Sequence, residues 1–215
     1  MPGNGKSRTL RLRAKGPLAC FTRPELKVER VSYPVMTPSA ARGLLEAVLW
    51  KPAIAWRIER ILVLRDIKFT SFRRNEVNSK IPGKGRIPST YLADEDRAQR
   101  NTVALSNVDY IIEAHFEMTG RAGPEDSVRK FEEVFERRST RGQHFHQPYF
   151  GCREFAASVE PPSGNEEPIA DTRDLGLMLW DIEFGKEGRN VPWFFPARLE
   201  AGVLHVPRWE ERGRL

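Results

Sequence analysis

Residues Asp109 to Met118 read Asp-Tyr-Ile-Ile-Glu-Ala-His-Phe-Glu-Met. Tyr110, Ile112, Ala114, Phe116 and Met118 fall on one side of an extended chain; Asp109, Ile111, Glu113, His115 and Glu117 fall on the other. A period of two with one apolar side is the signature of a strand that lays one face on a core. Residues 8–15 repeat it, with Leu10, Leu12 and Ala14 opposite Arg11, Arg13 and Lys15: a half-buried strand with a basic outer face. Between these strands, Thr37-Pro38 supplies the N-cap and first residue of a helix. Leu44, Leu45, Val48 and Leu49 form its apolar stripe, and Lys51-Pro52 ends it. Residues 55–72 read as one long strand or two bent ones, with Ile61 to Leu64 as a buried run. From Arg73 to about Asn101 the pattern breaks, and Pro82, Gly83, Gly85 and Pro88 predict a long insertion loop.

A second helix opens at Pro124, with Glu125 and Asp126 in its first turn. Its stripe is Val128, Phe131, Val134 and Phe135, and Arg137, Arg138 and Arg141 close it before Gly142, as the helix dipole favours. A polar linker covers 160–174. The tail then reads as β at Leu175–Phe184, Val191–Phe195 and Val203–Val206. The order strand, helix, strand, strand, helix, strand predicts an α+β protein: a ferredoxin-like (RRM-like) split βαβ domain with a small C-terminal β appendage. Residues 1–158 form the first unit, with the 73–101 insertion loop, and residues 159–215 the second.

The chain has 215 residues, 40% of them hydrophobic, which is enough to build a sizeable core. No apolar run approaches the roughly 20 residues that span a bilayer, and no apolar h-region follows Met1. Two distant cysteines, Cys20 and Cys152, make no disulfide framework, so a cytoplasmic setting is expected. The net charge is +6. Its placement matters more than its size: Lys6, Arg8, Arg11, Arg13, Lys15 and Arg23 all precede the first acid, Glu25, and Arg73, Arg74, Lys80, Lys84 and Arg86 meet only Glu76. Undiluted basic clusters favour a polyanionic partner; the alternative is a solvated surface with a basic bias.

The densest chemistry lies in Arg141-Gly-Gln-His-Phe-His-Gln-Pro-Tyr-Phe-Gly-Cys-Arg-Glu-Phe155. His144, His146, Cys152 and His115 are ligand types that zinc accepts, but no second pair stands at a usual spacing. His144, His146 and Tyr149 could instead move protons at a ribose and a phosphate. Arg11, Arg13, Arg73, Arg74, Asn75, Arg97, Arg100, Gln143, His146, Tyr149 and Arg153 suit contacts to RNA, since arginine forks phosphates and flat rings stack on bases. The alternative for Phe145, Tyr149 and Phe150 is ordinary core. No Walker loop, Rossmann fingerprint, nucleophile elbow or HExxH is present, and no cofactor or metal is expected.

Several runs occur in the order seen in one known family. They are Cys20-Phe-Thr-Arg-Pro-Glu25, Met36-Thr-Pro-Ser-Ala-Ala-Arg-Gly-Leu-Leu-Glu-Ala-Val-Leu-Trp-Lys-Pro-Ala53, Arg73-Arg-Asn-Glu-Val77, Tyr110-Ile-Ile-Glu-Ala-His-Phe116, and Gly142-Gln143 through Pro148 to Gly151-Cys-Arg-Glu-Phe155. Together they resemble the fifth CRISPR-associated (Cas) protein family, subtype I-C (Dvulg). The resemblance implies a subunit of the RNA-guided surveillance complex (Cascade) that holds the repeat-derived 5′ handle of the guide RNA. Its implied partners are the backbone and large subunits and, through the assembled complex, target DNA; no membrane is implied. It also implies a metal-independent endoribonuclease that cuts precursor guide RNA beside the repeat hairpin.

The family's catalytic residues transfer one by one. A tyrosine or another proton-transfer residue is associated with the position before Trp-Lys-Pro, where Leu49 stands. A Lys-His pair early in the second helix falls on Lys130 and Phe131. Leucine and phenylalanine cannot move protons, and each such group typically contributes roughly 10²–10⁴-fold. Either the chain binds without cutting, or Lys130 works with His144 and His146, with Tyr149 a further substitute.

Overall fold

The computed structural model describes residues 5–26, 28–78, 96–185 and 190–213. Among these residues nine strands form one sheet, antiparallel at every pairing but one, and two helices lie against it: an α+β architecture. The strands are β1 (Leu10–Ala19), β2 (Arg30–Val31), β3 (Ile54–Val63), β4 (Phe69–Val77), β5 (Arg97–Met118), β6 (Ser158–Glu160), β7 (Arg173–Phe184), β8 (Asn190–Glu200) and β9 (Val203–His205). Along the sheet they run β6-β1-β5-β3-β9-β8-β7, with β2 and β4 pairing the far half of β5.

β5 explains most of this order. Its 22 residues are long enough to pair twice. Leu105 to Ala114 pair with β1, and Tyr110 to Met118 pair with β3. The preceding half, Arg97 to Leu105, pairs with β4. At the junction Asn107 takes a positive φ of 52°, a conformation that asparagine tolerates better than most side chains.

The alternation in 109–118 sorts as expected. Leu10, Leu12, Ala14, Tyr110, Ile112, Ala114, Phe116, Trp56, Ile61 and Val63 are buried with the stripes of both helices. Helix α1 (Pro38–Val48) is capped by the Thr37 hydroxyl, which accepts from the Ala40 N–H. Helix α2 (Val128–Thr140) begins four residues later than Pro124 suggests. The Asp126 N–H donates to the Gly123 carbonyl in a turn, and Ser127 then caps the helix by accepting from the Lys130 N–H. A hydroxyl that can satisfy an N-terminal donor outranks a proline as a start signal here.

The other face of β1, β5 and β3 is charged but closed on itself. Arg13 makes a two-pronged bond to the buried Asp109 at 3.0 and 2.7 Å, and Arg11 and Arg60 both reach Glu113. Lys15 pairs with Glu160 at 2.7 Å, and His115 Nδ1 lies 2.7 Å from Glu59. The basic outer face expected of residues 8–15 is therefore largely neutralised within the fold.

The expected 73–101 loop needs correction at both ends. Arg73–Val77 and Arg97–Asn101 are strand, paired Arg73↔Asn101, Asn75↔Gln99 and Val77↔Arg97. Pro82 to Pro88 lie outside the described residues. The tail is β as expected, and β9 pairs with β3 through Arg60↔His205, which joins β7 and β8 to the main sheet.

Candidate nucleic-acid interface

Gly142, at φ +63°, ends α2 in a Schellman turn, its N–H donating to the Ser139 carbonyl and the Gln143 N–H to the Arg138 carbonyl. This turn aims the following segment at the C-terminal end of α1. There the Phe145 N–H donates to the Ala47 carbonyl at 2.7 Å, and Arg138 Nη1 donates to the Val48 carbonyl at 2.9 Å. Both bonds satisfy carbonyls that a helix end leaves open. The segment then follows α1 back toward its start: Tyr149 and Gly151 share a cavity wall with Thr37, Ser39, Ala40 and Gly43. Phe150 is fully buried, edge-on to Phe21 and Tyr110. Only glycine fits at 151, where φ is +78° and an added Cβ would stand 2.1 Å from the Cys20 carbonyl oxygen.

Beyond Gly151 the segment reaches the β4–β5 hairpin. Arg30 Nη1 lies 3.0 Å from the Cys152 sulfur, Arg74 pairs with Glu154, and Phe155 meets Phe72 edge-on. Hydrogen bonding with Cys20, with help from the Arg30 guanidinium, draws the Cys152 thiol below its ordinary range. The stretch from Arg141 to Phe155 is thus a strap from the C-terminal ends of both helices to the foot of the hairpin.

The cations along this strap differ from those of the sheet face. Among the described residues, Lys51, Arg73, Arg97, Arg137, Arg141 and Arg153 have no carboxylate within ion-pair distance, and Arg100 bonds only the Asn78 side chain, at 3.3 Å. Arg73, Asn75 and Arg97 share one face of the hairpin by register; Arg74 and Arg100 share the other. Arg74 is half satisfied: it pairs with Glu76 and Glu154, yet its Nε is buried without an acceptor.

The positions expected to handle protons lie elsewhere. Leu49 is 0% exposed, with the Trp56 indole donating to its carbonyl, and Phe131 is 3% exposed, edge-on to Phe116. Lys130 bonds the Glu125 carbonyl and Asp126 at the start of α2. A helix rises about 1.5 Å per residue, so Lys130 stands about 15 Å along the axis from Thr140. The structure does not bring it to His144 or His146. Those two histidines are exposed at the helix ends, with His146 tilted over Tyr149 at 6.2 Å. Gln143 is exposed beside them, and the Gln147 amide ties the strap to the Ala157 carbonyl. His115 lies on the opposite sheet face in a cavity of about 570 Å³ that Glu59, Glu117, Lys6 and Arg57 also line. It is a histidine satisfied by carboxylates, and it does not meet His144, His146 or Cys152. Among the described residues no three potential ligands converge on a metal position.

Sequence reasoning missed Trp50 and left Phe145 open between a stacking ring and ordinary core. Phe145 is 86% exposed and Trp50 58% exposed, both at the C-terminal end of α1. Trp50 directly follows the buried Val48 and Leu49, whereas Phe145 lies among the exposed Gln143, His144, His146 and Gln147, and an apolar pattern does not tell an outward ring from an inward one.

The model of the family described as CRISPR-associated protein (Cas_Cas5), Cas5d, matches residues 9–207. The chain belongs to the Cas5d family. A relative from Mannheimia succiniciproducens, named CRISPR pre-crRNA endoribonuclease Cas5d, is 47% identical over 92% of this chain and 94% of its own length. One of the same name from Thermus thermophilus is 40% identical over 96% of this chain and 95% of its own. Among solved structures, one titled as the crystal structure of a CRISPR-associated protein shares the fold at a TM-score of 0.73. It is 21% identical, and the match covers 98% of this chain and 97% of that one. The motif-by-motif resemblance to subtype I-C of the fifth Cas family is borne out over nearly the whole Cas5d chain. Among the described residues no helix is long and apolar enough to cross a membrane.

Proposed function

We propose that this chain is the guide-RNA-binding subunit of a type I-C surveillance complex. It grips the repeat-derived 5′ handle along the strap and hairpin, assembles with backbone and large subunits, and meets target DNA through that assembly. The observation that carries this reading is that, among the described residues, the cations at the helix ends and on the strap, Lys51, Arg137, Arg141 and Arg153, and those on the hairpin face turned away from the strap, Arg73 and Arg97, have no acid partner. Keeping positive charge without an acid partner favours a polyanion. Gln143, His146 and Tyr149 add polar contacts on the strap, and Asn75 and Arg100 add them on the two faces of the hairpin. Arg74 acts mainly in tying the hairpin to the strap through Glu154, and Arg11 and Arg13 in holding the sheet face together.

The domain reading stays part of this proposal: a ferredoxin-like (RRM-like) split βαβ unit over 1–158 and a β appendage over 159–215. The antiparallel order β6-β1-β5-β3, with α1 and α2 between the appropriate strands, supports it. An RNA-recognition module stacks bases on its sheet face; here that face holds ion pairs, which favours the helix-side strap instead.

A second reading, cleavage of precursor guide RNA, is favoured by the names of the two Cas5d relatives. With Leu49 and Phe131 in the core, the groups at hand are His144, His146 and Tyr149. One takes the ribose 2′-hydroxyl proton, a strap arginine steadies the charged phosphorane, and another protonates the leaving 5′-oxygen. Purified protein with a labelled repeat hairpin in EDTA tests both readings. A product ending in a 2′,3′-cyclic phosphate, lost in His144→Ala or His146→Ala, establishes the cutting subunit and its site; loss in Lys130→Ala instead moves the site to the start of α2. Salt-sensitive binding without product leaves the binding role alone. Absence of binding overturns both.

A further inference from the structure

We infer that Trp50 and Phe145 form a stacking platform for unpaired nucleotides of the bound RNA, at the end of the strap away from the hairpin; the inference rests on the RNA-binding reading above. Two large rings stand in water at the end of α1. Trp50 follows the last residues of α1 directly, and its neighbours Leu49 and Val48 are fully buried. Phe145 is held beside them by its own backbone, through the 2.7 Å bond from its N–H to the Ala47 carbonyl. The ring is therefore displayed from a fixed point and not from a loose loop. Among the described residues, the one ring that Phe145 meets is that of His146, at 6.3 Å.

The charge around the two rings identifies the occupant. Lys51 adjoins Trp50, and Arg137 and Arg141 close the helix whose end leads to Phe145; none has an acid partner among the described residues. An apolar protein partner would leave those cations desolvated and unpaired, whereas a nucleic-acid strand offers phosphates to the cations and flat bases to the rings. Single strands do this and duplexes do not, because an A-form helix hides its base faces in the stack. The platform is continuous with the strap, so one strand can lie on both. Stacking is tolerant of sequence, which suits a subsite that holds nucleotides and leaves their reading to other contacts.

The test measures affinity for two RNAs made from the repeat of the locus that encodes the chain: the stem-loop with its single-stranded flanks, and the bare stem-loop. Trp50→Ala and Phe145→Ala should each weaken binding of the flanked RNA by roughly five- to a hundredfold, the range of one lost base stack. The slope of log affinity against log salt should stay unchanged, since no phosphate contact is lost. Binding of the bare stem-loop should be the same in variant and wild type. Trp50→Leu and Phe145→Leu keep apolar bulk without a π face and should show the same loss, which holds the test open if an alanine variant folds poorly. Wild type that binds tightly and salt-sensitively beside variants that bind the flanked RNA equally well overturns the platform alone. Wild type that binds neither RNA overturns the RNA-binding reading, and the platform with it.

Discussion

At the scale of single residues, Leu49 and Phe131 decide how the family resemblance is read. Both stand where proton-transfer groups were expected, and both are core side chains. Leu49→Ala should therefore behave as a packing mutation. It should destabilise the fold by about 2–5 kcal/mol, the usual cost of a leucine-sized cavity, and leave RNA affinity near wild type under conditions where the variant is folded. Urea denaturation and a binding titration check the two halves separately. The same scale shows what one sequence hides. Leu49 was legible as part of an apolar stripe, so its burial could be foreseen. The pairing of Arg13 with Asp109 could not, because it depends on strand register across 96 residues. Six cations before the first acid read as a free basic surface, but ion pairs form in space and not along the chain.

At the scale of elements, the strap matters because it couples the helix ends to the hairpin. Its course hangs on Gly151, whose positive φ and contact with the Cys20 carbonyl exclude any side chain. Gly151→Ala should cost more than ~1 kcal/mol and lower RNA affinity as well, since displacing the strap displaces Arg153 and Tyr149 together. A variant destabilised but unchanged in affinity would show that the strap does not position the interface. Helices and core strands were legible because each presents one apolar side. The ends of the hairpin were not. Arg73–Val77 is partly exposed on one face and open on the other, so it carries no hydrophobic alternation, and its strand character comes from pairing with β5. β2 and β6, of two and three residues, are too short to impose any period.

At the scale of the whole molecule, the polar linker acts as a clasp. Burial disfavours the charged Glu166 carboxylate, but bonds from the Ser163 N–H and hydroxyl and from the Gly164 N–H outweigh it and hold the carboxyl down to about 2, with Arg13 at 3.4 Å. A group whose folded value lies below its unfolded one stabilises fully above the unfolded value, and that stability is lost as pH falls. The gap in urea midpoint between wild type and Glu166→Gln should thus be widest near neutral pH. It should close as pH falls from about 4.5 toward about 2. A gap independent of pH would mean that the glutamate's charge is not what holds the linker.

The central claim is that RNA lies along the strap and hairpin and is held by the cations there that have no acid partner among the described residues. The most direct measurement is the salt dependence of repeat-RNA binding in wild type, in Arg13→Ala, and in a triple variant carrying Arg73→Ala, Arg97→Ala and Arg153→Ala. Each lost phosphate contact flattens the plot of log affinity against log salt by about 0.7–0.9, so the triple variant should bind more weakly, with a slope shallower by about 2–3. Arg13→Ala should keep the wild-type slope, because Asp109 and Glu166 already neutralise that guanidinium. A triple variant with the wild-type slope, or an Arg13→Ala variant that alone flattens it, would contradict the account and move the RNA to the sheet face.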